Sequence, residues 1–110
     1  NLAWAANQVK DAKALEYAEQ ANSLAPDSPA ILDTLGMIQI DRGETEKGLG
    51  KLQRAVTLAP ELAPLRLNLA KSYARLARKE DARKELNILL PKLKEGTPLH
   101  KEAIELLNSL

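Results

Sequence analysis

A sequence repeat with a period of 34 residues constrains the fold of this chain more than any other feature. Residues 24–29 read LAPDSP and residues 58–64 read LAPELAP, so the two Leu-Ala-Pro turns begin 34 residues apart. The same step relates further pairs, which are Leu15 and Leu49, Ala21 and Ala55, Leu35 and Leu69, and Leu52 and Leu86. A fixed period of this length is typical of chains built from stacked copies of one supersecondary unit.

The apolar residues within one period follow helical spacing. Between residues 31 and 40 they recur mostly every three or four positions, at Ile31, Leu32, Leu35, Ile38 and Ile40. This spacing predicts a helix that ends at residues 41–43, which read DRG. A second helical run precedes the next Leu-Ala-Pro turn and contains Leu49, Leu52, Ala55 and Val56. The predicted unit is therefore a helix, a short turn, a second helix and a proline turn.

Two dipeptides have the residues that begin a helix. Ser28 can cap a helix because its hydroxyl accepts a free backbone N–H, and Pro29 then occupies the first helical position. Thr97 and Pro98 repeat this arrangement before the last segment. The prolines of the Leu-Ala-Pro turns cannot continue the preceding helices, so they set where those helices end.

This pattern resembles the tetratricopeptide (TPR) repeat, a helix–turn–helix unit of 34 residues. The middle repeat, residues 29–62, matches the family at Leu32, Leu35, Gly36, Gly43, Gly48, Leu52, Ala55 and Pro60, but has Gln39 where the family places an aromatic residue. The third repeat, residues 63–96, matches at Asn68, Leu69, Ala70, Tyr73, Ala82 and Leu86. Residues 1–28 resemble a partial first repeat whose Gly-Asp turn is replaced by Lys10 and Asp11.

The resemblance implies a single all-α domain over residues 1–110, a right-handed α-solenoid of about three TPR helix-turn-helix repeats. Residues 97–110 are expected to form an amphipathic capping helix, with Leu99, Ala103, Leu106, Leu107 and Leu110 on its apolar face. The N-terminal LAWA segment begins inside a predicted helix without a cap. We therefore expect further repeats upstream in a longer parent protein. This uncapped face would fray or associate with a second molecule when isolated.

The amino-acid sequence of residues 1–38 also resembles the C-terminal repeats of bacterial TPR proteins found with exosortase and exopolysaccharide systems. That resemblance implies an interaction scaffold in exopolysaccharide export or surface-protein sorting. It favours a periplasmic or outer-membrane-associated location over the cytoplasm.

Few residues could support catalysis or bind a metal. The chain of 110 residues has no cysteine, and His100 is its single histidine, so serine hydroxyls lack an evident activating base. We expect no enzymatic activity, no metal and no cofactor. No apolar run approaches the ~18 residues of a membrane span, which predicts no direct membrane insertion. An isoelectric point near 8.2 is below the level typical of nucleic-acid-binding domains, so we expect no nucleic acid partner.

In TPR arrays the first helices of successive repeats line a concave groove. The resemblance places eight residues of this chain in a groove for a protein or peptide partner, which are Trp4, Asp33, Met37, Ile40, Leu67, Asn68, Lys71 and Arg75. Lys71 and Arg75, one turn apart, could hold a carboxylate or phosphate. Alternatively, Trp4 and Ile40 pack between helices, and the two cations are merely solvated. Groove binding predicts that Met37→Ala and Leu67→Ala hardly change thermal stability.

Two alternative functions remain open. The segment could be a purely structural cap on a longer superhelix, with recognition elsewhere. It could also bind an anionic polymer weakly through its third repeat, because charge is unevenly distributed. Residues 1–48 contain four Lys/Arg and eight Asp/Glu, a balance of −4, whereas residues 66–94 contain nine Lys/Arg and three Asp/Glu, a balance of +6.

Overall fold

The chain alternates helices with short turns, as the hydrophobic spacing predicts. A computed structural model describes the backbone of residues 2–110 and the side chains of residues 13–110. Within this range the structure has no strand, and the all-helical class is confirmed. Its helices are α1 (Leu2–Leu24), α2 (Pro29–Asp41), α3 (Thr45–Leu58), α4 (Ala63–Arg75), α5 (Lys79–Leu89) and α6 (Pro98–Ser109), with a 3₁₀ turn at Leu90–Lys92. The helices form two compact units, Asn1–Leu58 and Ala59–Leu110.

The helix bounds reproduce the 34-residue period. Helices α2 and α4 each contain 13 residues, and both their first and their last residues are 34 positions apart. Helices α3 and α5 also begin 34 positions apart, but α5 is shorter, with 11 residues instead of 14. The early proline, Pro91, explains the difference, because proline cannot donate the next helical hydrogen bond and the chain tightens into a 3₁₀ turn.

The turns that join α2 to α3 and α4 to α5 have the same hydrogen bonds. In the first turn the Glu44 N–H donates to the Gln39 carbonyl at 2.8 Å, and in the second the Arg78 N–H donates to the Tyr73 carbonyl at 2.8 Å. Each turn also contains one residue in the left-handed region, Gly43 at φ +88° and Ala77 at φ +60°. These features define a Schellman-type helix end, which normally has glycine at the left-handed position.

The predicted N-caps are confirmed. The Ser28 hydroxyl accepts the Ile31 N–H at 3.4 Å, and the Thr97 hydroxyl accepts the His100 N–H at 3.3 Å. A proline follows each capping residue at the start of α2 and α6. Helix α4 differs, because Leu62 occupies its N-cap and has no side chain that can accept a hydrogen bond.

In the first unit, α2 packs against both α1 and α3. The α2–α3 contact is closest at two glycines: a Cβ built on Gly36 would lie 2.7 Å from the Gly48 carbonyl oxygen. Any side chain at either position would force the two backbones apart. The apolar side chains on these two helices that are fully buried include Leu32, Leu35, Leu49 and Leu52.

In the second unit, α6 packs against the α4–α5 pair. The core cluster consists of Leu67, Ala70, Leu86, Leu89 and Ala103. The other apolar residues of α6, including Leu99, Leu106 and Leu107, are partly buried against this cluster. The predicted amphipathic face of the last helix is therefore confirmed.

One predicted turn is wrong. Helix α1 continues from Leu2 to Leu24 through Lys10 and Asp11, where the sequence comparison places a turn between two helices. Neither residue breaks a helix by its covalent structure, and no glycine or proline occurs before residue 26. The partial first repeat therefore contributes one long helix in place of a helical hairpin.

Candidate functional site

The accessible face of α4 contains three of the predicted site residues. Asn68, Lys71 and Arg75 are spaced by three and four positions, so they lie on one side of the helix. Asn68 and Lys71 are half-buried and Arg75 is exposed. The opposite side holds the buried residues that anchor the helix. We call Asn68, Lys71 and Arg75 the α4 stripe.

Lys71 forms an ion pair within the second unit. Its ammonium group donates to a carboxylate oxygen of Glu102 on α6. Both side chains remain open to solvent, with 43% of Lys71 and 46% of Glu102 exposed. The structure therefore shows that this position of the α4 stripe binds a carboxylate and that water can reach the pair.

Two other predicted groove residues are buried. Leu67 is 2% exposed and belongs to the core cluster of the second unit, and Ile40 is 4% exposed. Ile40 lies over the α2–α3 contact, because a Cβ built on Gly48 would be 2.5 Å from the Ile40 Cγ1 atom. A buried side chain cannot contact a partner directly. This placement reverses the expectation for Leu67→Ala, which should now cause a large loss of stability.

The remaining predicted residues belong to the first part of the chain. Asp33 and Met37 are one turn apart on α2 and are half-buried. Trp4 lies outside the residues whose side chains the structure describes, and so does the apolar N-terminal face proposed for self-association. Because α2 and α4 belong to different compact units, a groove that combines both helices stays a prediction.

Several cations between residues 66 and 94 lie beside carboxylates. Arg66 donates to Glu85 at 2.9 Å, and both side chains are only 14% exposed, so this pair joins α4 to α5. Arg83 donates to Glu80 and, at 3.1 Å, to the Leu110 carbonyl oxygen. A surface depression of about 380 Å³ next to Arg66 and Lys92 also contains an acidic residue, Glu61. Neighbouring carboxylates therefore reduce the positive potential that the sequence balance predicts.

The part of the chain with described side chains has no cluster of His, Cys, Asp or Glu that could hold a metal ion. None of its helices has both the length and the hydropathy that are needed to cross a bilayer. His100 lies in the first turn of α6 and is half-buried.

Glu102 is a residue of this site that the sequence pattern alone did not indicate. This residue lies 34 positions after Asn68, and therefore at the equivalent place on the next repeated helix. That register could have suggested an accessible position on α6. The contact with Lys71 could not be predicted, because it depends on how α6 packs against α4.

Comparison with known proteins assigns no family. No protein-family model matches the chain, and no curated protein matches it significantly.

Proposed function

We propose that this chain is a TPR-type interaction scaffold, in which helical hairpins stack into a right-handed solenoid and present a protein-binding surface. The observation that carries this proposal is the repetition of local structure. Two helical hairpins share a 34-residue step in their helix starts and have the same hydrogen bonds in their turns. This repetition supports a stacked arrangement, because each hairpin has an apolar face that neighbouring hairpins can bury.

Within this scaffold, we assign partner binding to the α4 stripe. Its members are accessible polar and cationic side chains. They lie on a helix whose opposite side packs into the core of its unit. A rigid helix positions such groups better than a loop does. We further propose that the parent is a bacterial protein of exopolysaccharide export or surface-protein sorting. Only the sequence resemblance supports this last step.

A weak site for an anionic polymer receives less support. Among the nine cations between residues 66 and 94, carboxylates engage Arg66, Lys71 and Arg83. A polymer site needs several cations that act together, so this division of charge disfavours it.

An affinity pull-down tests the proposed function. The bait is this chain, applied to the lysate and the periplasmic fraction of the bacterium that encodes it. The test variant replaces Asn68, Lys71 and Arg75 by alanine. A matched control replaces Lys84, Asn87 and Lys92 by alanine, since this set also removes two cations and one amide from exposed positions of the same unit.

We expect a captured protein that is lost with the test variant and retained with the control. Equal loss with both variants would instead indicate general charge attraction. If the wild-type chain and the test variant capture the same proteins, or neither captures any, this segment is a structural cap and recognition lies elsewhere.

A further inference from the structure

The ion pair between Lys71 and Glu102 indicates the ligand chemistry that suits the α4 stripe. Lys71 is a member of the proposed binding surface, and its ammonium group already holds a carboxylate. That carboxylate comes from α6, 31 positions later in the chain. An ammonium group has three hydrogens, so an external carboxylate could approach the same group, but the Glu102 carboxylate beside it would repel the incoming charge.

The exposure of this pair distinguishes it from a structural ion pair in the same unit. Arg66 and Glu85 are each only 14% exposed, so a partner could not separate them without opening the helix contact. Lys71 and Glu102 are 43% and 46% exposed. An exposed ion pair contributes little to stability and exchanges readily with solvent or with another charged group. Glu102 can therefore be displaced from Lys71 while α6 stays packed through its apolar face.

We propose that Glu102 is an internal competitor for an acidic peptide that binds the α4 stripe. In this scheme the partner presents a carboxylate to Lys71, and the negative charge of Glu102 beside that lysine opposes the contact. Helix α6 thereby lowers the affinity of the surface for a carboxylate at Lys71. This inference rests on the proposed function, because it takes the α4 stripe to be the binding surface.

The magnitude of the effect follows from the exposure of the pair. Exposed ion pairs of this kind correspond to equilibrium factors of about 1.4 to 5. Removing the Glu102 charge should therefore tighten binding of an acidic peptide by that factor.

The experiment uses a fluorescently labelled decaglutamate peptide and measures its dissociation constant by anisotropy at low salt. The variants are Glu102→Gln, Lys71→Gln and the double variant of both. Glu105→Gln is the matched control, because Glu105 is exposed on the same helix, carries the same charge and makes no bond to Lys71. Circular dichroism verifies that all the variants are folded, which is expected because the changes are at solvent-accessible side chains.

We expect Glu102→Gln to bind the peptide about 1.4 to 5 times more tightly than Glu105→Gln does. In the Lys71→Gln background, Glu102→Gln should tighten binding no more than Glu105→Gln does in the wild-type chain, because the competition requires the lysine. Equal affinities of Glu102→Gln and Glu105→Gln would overturn the inference and leave the α4 stripe as a binding surface. If none of the variants binds the peptide, the acidic partner is wrong as well, and the pull-down then decides the proposed function independently.

Discussion

The residue at the left-handed position of the α4–α5 turn should limit the stability of the second unit. Ala77 adopts φ +60°, whereas the equivalent residue of the α2–α3 turn is Gly43 at φ +88°. A residue with a Cβ in this region is destabilised by about 1–2 kcal/mol relative to its preferred conformations. Glycine avoids that cost, but it lowers the free energy of unfolding by about 0.4–1 kcal/mol relative to alanine, because it gives the unfolded chain more conformational entropy. The difference predicts that Ala77→Gly stabilises the protein by about 0.5–1 kcal/mol.

Two further substitutions separate backbone conformation from packing. A Cβ added at Gly43 or at Gly50 would meet no atom within 4 Å, so neither change to alanine causes a clash. Gly43 is left-handed, and Gly43→Ala should therefore destabilise the protein by about 0.5–1 kcal/mol. Gly50 lies inside α3 with ordinary helical geometry, so Gly50→Ala should stabilise it by about 0.5–1 kcal/mol.

Urea titration followed by circular dichroism at 222 nm measures these changes. We expect the transition midpoint to move with an unchanged slope, and the melting temperature to shift by about 2–8 °C for each variant. The decisive comparison is the sign of the two glycine-to-alanine changes. If Gly43→Ala proved as stabilising as Gly50→Ala, the left-handed conformation of this turn would not be a source of the stability difference.

Three other substitutions test the packing. Gln39 has a buried Oε1 atom without a hydrogen-bond partner among the described residues, so Gln39→Met should stabilise the chain by about 1 kcal/mol in the same urea titration. Leu67→Ala should lower the free energy of unfolding by about 2–5 kcal/mol, because Leu67 lies in the core cluster; an unchanged midpoint would contradict this placement. Gly48→Ala should destabilise the first unit by about 1–3 kcal/mol, since the new Cβ would lie 2.5 Å from both the Gly36 carbonyl oxygen and Ile40. Hydrogen exchange of the α2 and α3 amides measures this last effect locally.

Sequence reasoning succeeds for the elements whose boundaries depend on local chemistry. The starts of α2 and α6 follow from Ser28 and Thr97, and the early end of α5 follows from Pro91. The turn at Lys10 and Asp11 fails because it rests on an alignment to the repeat and on no helix-breaking residue.

The candidate site is less predictable than the helices that carry it. Hydrophobic spacing identifies a helix over residues 63–75 but does not decide which side faces the core, because leucines occur at 65, 67 and 69. The family resemblance places Leu67 in the groove, whereas the structure buries it. The ion pair of Lys71 with Glu102 joins residues 31 positions apart, and only the packing of α6 on α4 brings them together.

The two helices that correspond across the repeat differ at their accessible positions. The accessible positions of α2 and α4 correspond one to one across the 34-residue step: Ala30, Thr34, Met37 and Asp41 on α2, and Pro64, Asn68, Lys71 and Arg75 on α4. One buried position keeps its residue type, with Leu35 in α2 and Leu69 in α4, because a similar helix contact forms in each unit. The accessible positions do not have that constraint. At the last of these positions the charge is negative in α2, at Asp41, and positive in α4, at Arg75. Opposite charges favour opposite ligands, so a ligand group that pairs with Arg75 is disfavoured beside Asp41. A carboxylate-bearing partner should therefore select α4, where Glu102 already supplies the competing carboxylate.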